Sequence, residues 1–425
     1  MSKIAFLYPG QGSQYVGMGK SLYNDFSLVK DIFEEANDVL KFDLKKLCFE
    51  GSVEELTKTQ NTQPALLTVS VAAFKVFIRE IGIKPQFLAG HSLGEYSALV
   101  CSGMIRFGDA LRIVKKRGEL MQEAVLGENG IMMAAVSGIN VKELSKQCED
   151  ITTLAEPVVI ACYNSLKQNV VSGHPSSMVR LIERLEKINA RVTPLNVSAP
   201  FHSPMMAQAA KKLANELKKY EYGTPEWNVI SNVTAQPYLN KSEIINKLML
   251  QMTQPVRWME SMHYLNEQGV ENAIELGPKT VLKNLLKVNV EQMQGYCLGE
   301  SSDLCVLKDA LIKNKEESSR AAKKSKAMDI ISKCIVTAIS TKNRNWDNDE
   351  YQKCVIDPYR KVKTMYETLA AEGKEPTTSQ VCEALEMLRI VLVTKKVSKS
   401  YLTDVMKNTA DGWEYNVSDV LIESK

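Results

Sequence analysis

The chain is poor in histidine, and its cysteines are not grouped. Its 425 residues include nine cysteines, no two of which form a C-x-x-C motif. This spacing indicates neither a zinc site nor a disulfide framework. Only four histidines are available for histidine-dependent chemistry: His91, His174, His202 and His263.

Long hydrophobic runs and a strong excess of one charge are also missing. No segment reaches the roughly 18 consecutive apolar residues that a membrane span needs. The apolar stretch 4–8 ends at Pro9-Gly10 and is too short for the core of a signal peptide. A formal net charge of +3 argues against a dedicated nucleic-acid binder. We therefore expect a cytoplasmic protein that binds neither nucleic acid nor membrane.

Strand and helix patterns alternate over the first 125 residues. Strands are predicted at 4–8 and 86–90, and helices from Pro64 to about 81, over 93–101 and over 109–124. This alternation is typical of βαβ units and predicts an α/β fold with a mostly parallel, hydrolase-like sheet.

Residues 128–197 follow a different order. The pattern β-α-β-β-α-β predicts a ferredoxin-like small subdomain, inserted into a large subdomain formed by 1–127 and 198–300. The helix predicted over 176–189 is expected to bury one stripe of side chains: Val179, Ile182, Leu185 and Ile188.

The last quarter of the chain differs in character from the rest. Residues 313–326 are charged and small, which indicates a solvated linker or an exposed helix, and we place the linker at 301–326. We predict an all-helical extension over 327–425, with one helix between Pro358 and Gly373 and a capping box at Thr377–Gln380.

A G-x-S-x-G sequence is the strongest chemical signal. It spans residues 90–94, between a predicted strand and a predicted helix. A nucleophile elbow requires that context, because a sharp strand-to-helix turn presents the Ser92 hydroxyl at a helix N-terminus. The alternative is a glycine-rich turn with a capping serine.

A nucleophilic serine requires a base, for which histidine is the usual side chain. His202 follows a predicted strand and is expected on a loop at the end of the sheet. His91 adjoins Ser92, but the elbow would turn its side chain away. His174 is expected in a turn, and His263 on an exposed helix surface. By elimination, His202 is the best candidate.

The chain resembles the malonyl-CoA:acyl-carrier-protein transacylases, the stand-alone acyltransferases of fatty-acid and polyketide synthesis. The resemblance covers residues 1 to about 300 and rests on many motifs in the family's order. They are PGQGSQ at 9–14, TQPAL at 62–66, GHSLGEYSA at 90–98, RGELMQEA at 117–124, YNS at 163–165, VSG at 171–173, APFHS at 199–203, QMTQPVRW at 251–258 and ELGP at 275–278.

The resemblance implies a role for each matching residue. Ser92 would be the acylated nucleophile and His202 its general base, oriented by the backbone carbonyl of Gln251 instead of an aspartate. The backbone N–H groups of Gln11 and Leu93 would form the oxyanion hole. The expected clamp for the free carboxylate of the substrate is Arg117, because a guanidinium binds a carboxylate in bidentate fashion.

The resemblance also suggests the substrate. Leu93 and Phe201 match malonyl-selective members, and a ring at 201 would leave little room for an α-methyl branch. One methyl group changes discrimination by only about 1–3 kcal/mol, so the expectation is a preference. His91 is assigned to substrate binding together with Arg117 and Phe201.

The expected reaction is a ping-pong transfer of malonyl from malonyl-CoA to the phosphopantetheine thiol of an acyl carrier protein. It requires no metal and no redox cofactor. The extension points to a polyketide synthase served in trans, and fatty-acid synthesis is the alternative. The extension is expected either to pack on the enzyme or to dock a synthase.

Two other functions compete with this interpretation. An acyl-thioester hydrolase of the same fold would gain nothing from Arg117 if its acyl chains were neutral. A non-catalytic scaffold would not need Ser92, His202, Arg117 and Gln251.

Overall fold

The structure is a computed structural model that describes residues 3–124, 132–195, 197 and 199–410, with only the backbone over 312–325. The chain divides into two compact units, Met1–Ala310 and Leu311–Lys425. Among the helices of the described ranges, none combines the length and apolarity that a membrane crossing needs.

The first unit contains two sheets. Its strands in the described residues are β1 (Lys3–Tyr8), β2 (Phe87–Gly90), β3 (Met133–Ser137), β4 (Val158–Tyr163), β5 (Gln168–Gly173), β6 (Arg191–Pro194), β7 (Asn228–Ile230), β8 (Val270–Leu276) and β9 (Gln294–Leu298).

The larger sheet is parallel throughout. Its strand order is β7-β2-β1-β8-β9. Strand β1 is central and forms strand because its apolar run, from Ile4 to Tyr8, is buried on both faces. The segments that follow β1, β2 and β7 all leave the sheet at its carboxyl edge, which is where α/β folds place their sites.

Helices flank both sheets of this unit. In the first unit they are α1 (Lys20–Asp25), α2 (Ser27–Leu40), α3 (Leu44–Glu50), α4 (Val53–Thr57), α5 (Thr59–Glu80), α6 (Leu93–Cys101), α7 (Phe107–Glu123), α8 (Val141–Ile151), α9 (Pro175–Lys187), α10 (Ala207–Leu217), α11 (Ile244–Gln251), α12 (Trp258–Glu267) and α13 (Val281–Asn289). Helix α5 begins at Thr59, so the prediction that Pro64 starts it was wrong: Pro64 lies inside the helix.

The second sheet has the order β4-β5-β3-β6 and is antiparallel. With α8 and α9 it gives the ferredoxin-like arrangement predicted from the sequence. The predicted stripe on α9 was wrong, because Val179 is 49% and Ile188 47% exposed. Leu185 is buried as predicted, but Met178 and Leu181 are buried in place of Val179 and Ile182. The face of α9 that packs on the sheet is therefore rotated from the predicted one, so that it includes Met178 and Leu181.

The second unit is helical wherever it has regular structure in the described residues. Helix α14 (Asp303–Ser340) begins in the first unit and ends in the second, and includes most of the segment predicted as a linker or an exposed helix. The others are α15 (Asn348–Tyr351), α16 (Asp357–Glu372), α17 (Thr378–Thr394) and α18 (Lys399–Thr409), with a π-helical turn at Gln352–Ile356.

The sequence correctly predicted how one helix of this unit ends and how the next one begins. Helix α16 ends at Gly373, which adopts a left-handed φ of 61°. The capping box at Thr377 and Gln380 is present. A separate core is formed by apolar side chains of four helices, among them Ile331, Val362, Leu385, Leu388 and Met406. The predicted fold class, an α/β enzyme fold with an inserted ferredoxin-like part and a helical extension, is confirmed.

Candidate active site

Ser92 sits on a strained turn between β2 and α6. Its φ is 52° and its ψ −103°, a backbone conformation that few residues other than glycine adopt. A Cβ on Gly90 would lie 1.9 Å from the backbone of Gly94, and one on Gly94 would lie 2.0 Å from the carbonyl oxygen of Tyr8. Both glycines are therefore sterically required, and the motif forms the elbow predicted from it.

Ser92, His202 and Gln251 form a hydrogen-bonded relay. Ser92 Oγ lies 2.8 Å from His202 Nε2, and His202 Nδ1 lies 2.7 Å from the carbonyl oxygen of Gln251. Because that carbonyl can only accept, Nδ1 carries the proton and Nε2 is left free to accept one from Ser92. Gln251 is the last residue of α11, so its carbonyl has no partner further along that helix.

Burial, followed by the charge of Arg117, lowers the pKa of His202 to about 3. The imidazole is then neutral well below its ordinary pKa of about 6.5. We expect Ser92 to react with a fluorophosphonate probe at a rate that shows no inflection between about pH 5 and pH 8. The rate of labelling, followed by intact-protein mass spectrometry, measures this. An inflection near pH 6.5 would contradict the expectation.

The same shift affects stability. His202 binds a proton in the unfolded chain below about pH 6.5, but in the folded chain only near pH 3. Its contribution to the free energy of unfolding is therefore complete above pH 6.5 and decreases as the pH falls toward 3.

Arg117 is buried beside the nucleophile without a carboxylate partner. Only 1% of it is exposed. Its guanidinium donates to Gln63 Oε1 at 3.0 Å, Gln251 Oε1 at 3.1 Å and Ser92 Oγ at 3.3 Å, and its carbon lies 5.3 Å from the ring centroid of Tyr96. All of these partners are neutral, and no carboxylate among the described residues forms an ion pair with Arg117. Burial accordingly lowers the pKa of Arg117.

Gln11 and Leu93, the two residues expected to form an oxyanion hole, lie on segments that adjoin the elbow. Leu93 is the first residue of α6, and N–H groups of a first turn have no acceptor within the helix. Gln11 follows β1, the neighbour of β2. The preceding residue, Gly10, comes so close to the elbow that a Cβ there would lie 2.4 Å from the carbonyl oxygen of His91.

Phe201 and His91 are the other two residues assigned to substrate binding. Phe201 is buried and precedes His202, whose φ is 58°. The ring of His91 faces the carboxamide of Asn164, with Nε2 and Oδ1 2.8 Å apart, and lies 5.5 Å from the ring of Trp258. Burial lowers the pKa of His91.

The other two histidines lie outside this relay. His174 is the N-cap of α9, where its Nδ1 accepts from the N–H of Ser176 at 3.3 Å. His263 lies on α12 with an exposed side chain, as predicted. Their positions leave His202 as the histidine that reaches Ser92.

Sequence reasoning missed two residues that hold the elbow in place, Glu95 and Asn232. Asn232 Oδ1 accepts from the N–H of Ser92 at 2.7 Å, and its Nδ2 donates to the carbonyl of Gly90 at 2.6 Å. No sequence signal singled out Asn232. Glu95 could have been noticed as the one charged residue of α6.

The arrangement is suited to acyl transfer. A serine activated by a neutral histidine can attack an acyl carbonyl, and N–H groups at the start of α6 can stabilise the resulting oxyanion. The unpaired guanidinium can hold an acyl group that carries a negative charge.

Comparison with known proteins agrees with this chemistry. The acyl transferase domain family matches residues 5–332. A malonyl CoA-acyl carrier protein transacylase of Bacillus subtilis is 43% identical over 397 residues, 93% of this chain and 98% of the relative. The match therefore extends well into the second unit. The transacylase of Escherichia coli (strain K12) is 42% identical over 305 residues, covering 71% of this chain and 97% of its own.

Solved structures show the same likeness over nearly three quarters of the chain. The transacylase of Coxiella burnetii superposes with a TM-score of 0.70 at 38% identity, covering 72% of this chain and 96% of its own. A malonyl-transacylase in complex with a type II polyketide synthase acyl-carrier protein gives a TM-score of 0.69 at 39% identity, covering 72% and 98%. The chain belongs to the acyl transferase domain family and is an acyltransferase related to the malonyl CoA-acyl carrier protein transacylases.

Proposed function

We propose that the protein transfers a malonyl group from malonyl-CoA to the phosphopantetheine thiol of an acyl carrier protein. The observation that carries the substrate assignment is Arg117, a buried guanidinium without a carboxylate partner in the described residues, 3.3 Å from Ser92 Oγ. A buried guanidinium without a carboxylate in direct contact is costly, although the charge of Glu95 opposes part of that cost at longer range. A substrate carboxylate would remove that cost on binding.

The distance between the two groups favours a short acyl chain. In a malonyl thioester the carboxylate carbon is separated from the reacting carbonyl carbon by a single methylene. With Ser92 Oγ and the Arg117 guanidinium in hydrogen-bond contact, one small molecule can meet both at once. A neutral acyl group would leave Arg117 buried and unpaired, which disfavours it.

Two half-reactions complete the transfer. Ser92 Oγ attacks the thioester carbonyl and passes its proton to His202 Nε2. The N–H groups of Gln11 and Leu93 stabilise the oxyanion until the carbon–sulfur bond breaks, and CoA leaves with the proton as its free thiol. The carrier's thiol then gives its proton to His202 and attacks the carbonyl of the acyl-serine. As the ester carbon–oxygen bond breaks, His202 Nε2 returns the proton to Ser92 Oγ and the malonyl group remains on the carrier's sulfur. The bonds and protons balance without a metal or a redox cofactor.

We assign Phe201 and His91 to the acyl pocket.

The carrier protein is proposed to belong to a polyketide synthase that the enzyme serves in trans, with fatty-acid synthesis as the alternative. The Escherichia coli relative is covered almost in full by 305 residues, whereas the longer Bacillus subtilis relative aligns over 397. The extension is proposed to dock the synthase. A cytoplasmic location belongs to the same proposal.

A transfer assay tests the proposal directly. The protein is incubated with labelled malonyl-CoA and holo carrier protein, and label is followed on Ser92, on the carrier and in free malonate. We expect label on Ser92 first and on the carrier afterwards. Release of all label as malonate, with none on the carrier, would instead identify a thioester hydrolase. Parallel reactions with polyketide and fatty-acid carriers compare the two contexts.

A further inference from the structure

Glu95 is a buried carboxylate beneath the active site to which the proposed mechanism gives no role. It lies on α6 three residues after Ser92, and none of it is exposed. Every other residue of α6 is uncharged. Burying a carboxylate is costly unless hydrogen bonds compensate it, so its partners indicate what it contributes.

The partners of Glu95 are all hydrogen-bond donors. Its Oε1 accepts from the hydroxyl of Tyr238 at 2.6 Å. Its Oε2 accepts from Gln251 Nε2 at 2.6 Å and from the N–H of Asn232 at 3.2 Å. Burial raises the pKa of Glu95, and these hydrogen bonds oppose the rise. Such a set of donors fits an ionised carboxylate, which can only accept.

Glu95 and the carbonyl oxygen of Ser92, which accept from Gln251 Nε2 at 2.6 Å and 2.9 Å, determine which way the Gln251 carboxamide faces. Because Glu95 takes the Nε2 side, Gln251 Oε1 is turned toward Arg117 and accepts from its guanidinium at 3.1 Å. The opposite orientation would bring an NH2 group against the guanidinium, where donor faces donor. The carboxamide therefore connects the buried carboxylate to the buried guanidinium.

We propose that Glu95 is a positioning residue for substrate selection. By fixing the Gln251 carboxamide, it holds the Arg117 guanidinium in the pose that receives a free carboxylate on the acyl group. This inference deepens the proposed function and rests on it. Its effect concerns acyl groups that carry a carboxylate, because Arg117 makes no ion pair with an acyl group that lacks one.

The substitution Glu95→Gln tests this role while preserving side-chain volume. Its amide keeps one acceptor oxygen but replaces the other with an NH2 group and removes the negative charge, so the hydrogen bond that orients the Gln251 carboxamide loses its charge assistance. In single-turnover acylation of Ser92, we expect the rate constant with malonyl-CoA to fall about tenfold or more. With acetyl-CoA, which lacks the carboxylate, the rate constant should stay within about threefold.

A matched control is Glu119→Gln. This substitution makes the same chemical change at a partly exposed carboxylate of α7 that pairs with Lys116. It should leave both rates unchanged. If Glu95→Gln does not fold, as judged by circular dichroism, Tyr238→Phe removes one donor to Glu95 and should lower the malonyl-to-acetyl ratio in the same direction. Equal losses with both acyl groups, or an unchanged ratio, would overturn the role of Glu95.

The outcome for the wild-type protein separates this inference from the proposed function. If wild-type Ser92 takes up no malonyl group, the proposed function itself fails. If wild-type Ser92 is malonylated and Glu95→Gln keeps the same malonyl-to-acetyl ratio, only the role of Glu95 is refuted.

Discussion

Replacing Ser92 with alanine is expected to abolish malonyl transfer, with a loss of at least about 10³-fold in rate. The reason is covalent: in the proposed reaction the malonyl group is carried on this hydroxyl, which lies 2.8 Å from His202 Nε2. Intact-protein mass spectrometry after incubation with malonyl-CoA should show no adduct, and the carrier protein should remain unlabelled.

Ser97→Ala is the matched control for this substitution. Ser97 lies on the same helix, is equally short and is 1% exposed, and its hydroxyl has no hydrogen-bond partner in the described residues. Its removal should leave the adduct and the transfer rate intact. A Ser92→Ala protein that still carried a malonyl adduct and labelled the carrier would refute Ser92 as the nucleophile.

Replacing Arg117 with alanine should lower kcat/KM for malonyl-CoA by about 10²- to 10³-fold. Removing one partner of a buried charge pair costs about 2–5 kcal/mol, and each 1.36 kcal/mol is tenfold. Arg117→Lys should recover little, since an ammonium cannot contact both oxygens of a carboxylate in the planar manner of a guanidinium. The discrimination against acetyl-CoA should fall in both variants, because the unpaired buried charge that disfavours neutral acyl groups is then lost or displaced.

The measurement is kcat/KM for malonyl-CoA and for acetyl-CoA, determined side by side. Arg112→Ala on the same helix is the control, because Arg112 is half-exposed and pairs with Asp109; surface ion pairs of this kind contribute little. Parallel losses for both substrates in Arg117→Ala would indicate a structural role for Arg117 and would contradict the carboxylate clamp.

These two variants also differ from Glu95→Gln in what they remove. Ser92→Ala removes the reacting atom, and Arg117→Ala removes the group that contacts the substrate. Glu95→Gln leaves both in place and changes only the orientation of the Gln251 carboxamide between them. A graded series, from complete loss to a partial loss specific to malonyl, is therefore expected across the three.

The sequence was informative where a structure depends on residues close along the chain. The glycines around Ser92, Gly373 at the end of α16 and the capping box at Thr377 act within a few residues, and their patterns were read correctly. The stripe on α9 was misread, because apolar residues at both 178 and 179 fit helical spacing. Contact with the sheet decides which of them is buried.

The sequence by itself determined the elbow, the order of strands and helices, and His202 as the best base, because local sterics and a short list of histidines leave few alternatives. Only the tertiary structure decided that Asn232 and Glu95 join Gln251 next to Ser92. Asn232 and Ser92 are 140 residues apart in the chain, and no local pattern carries the position of such a partner. Their meeting depends on parallel strands bringing distant chain segments to one edge of the sheet, where burial then makes each polar group find its hydrogen bond.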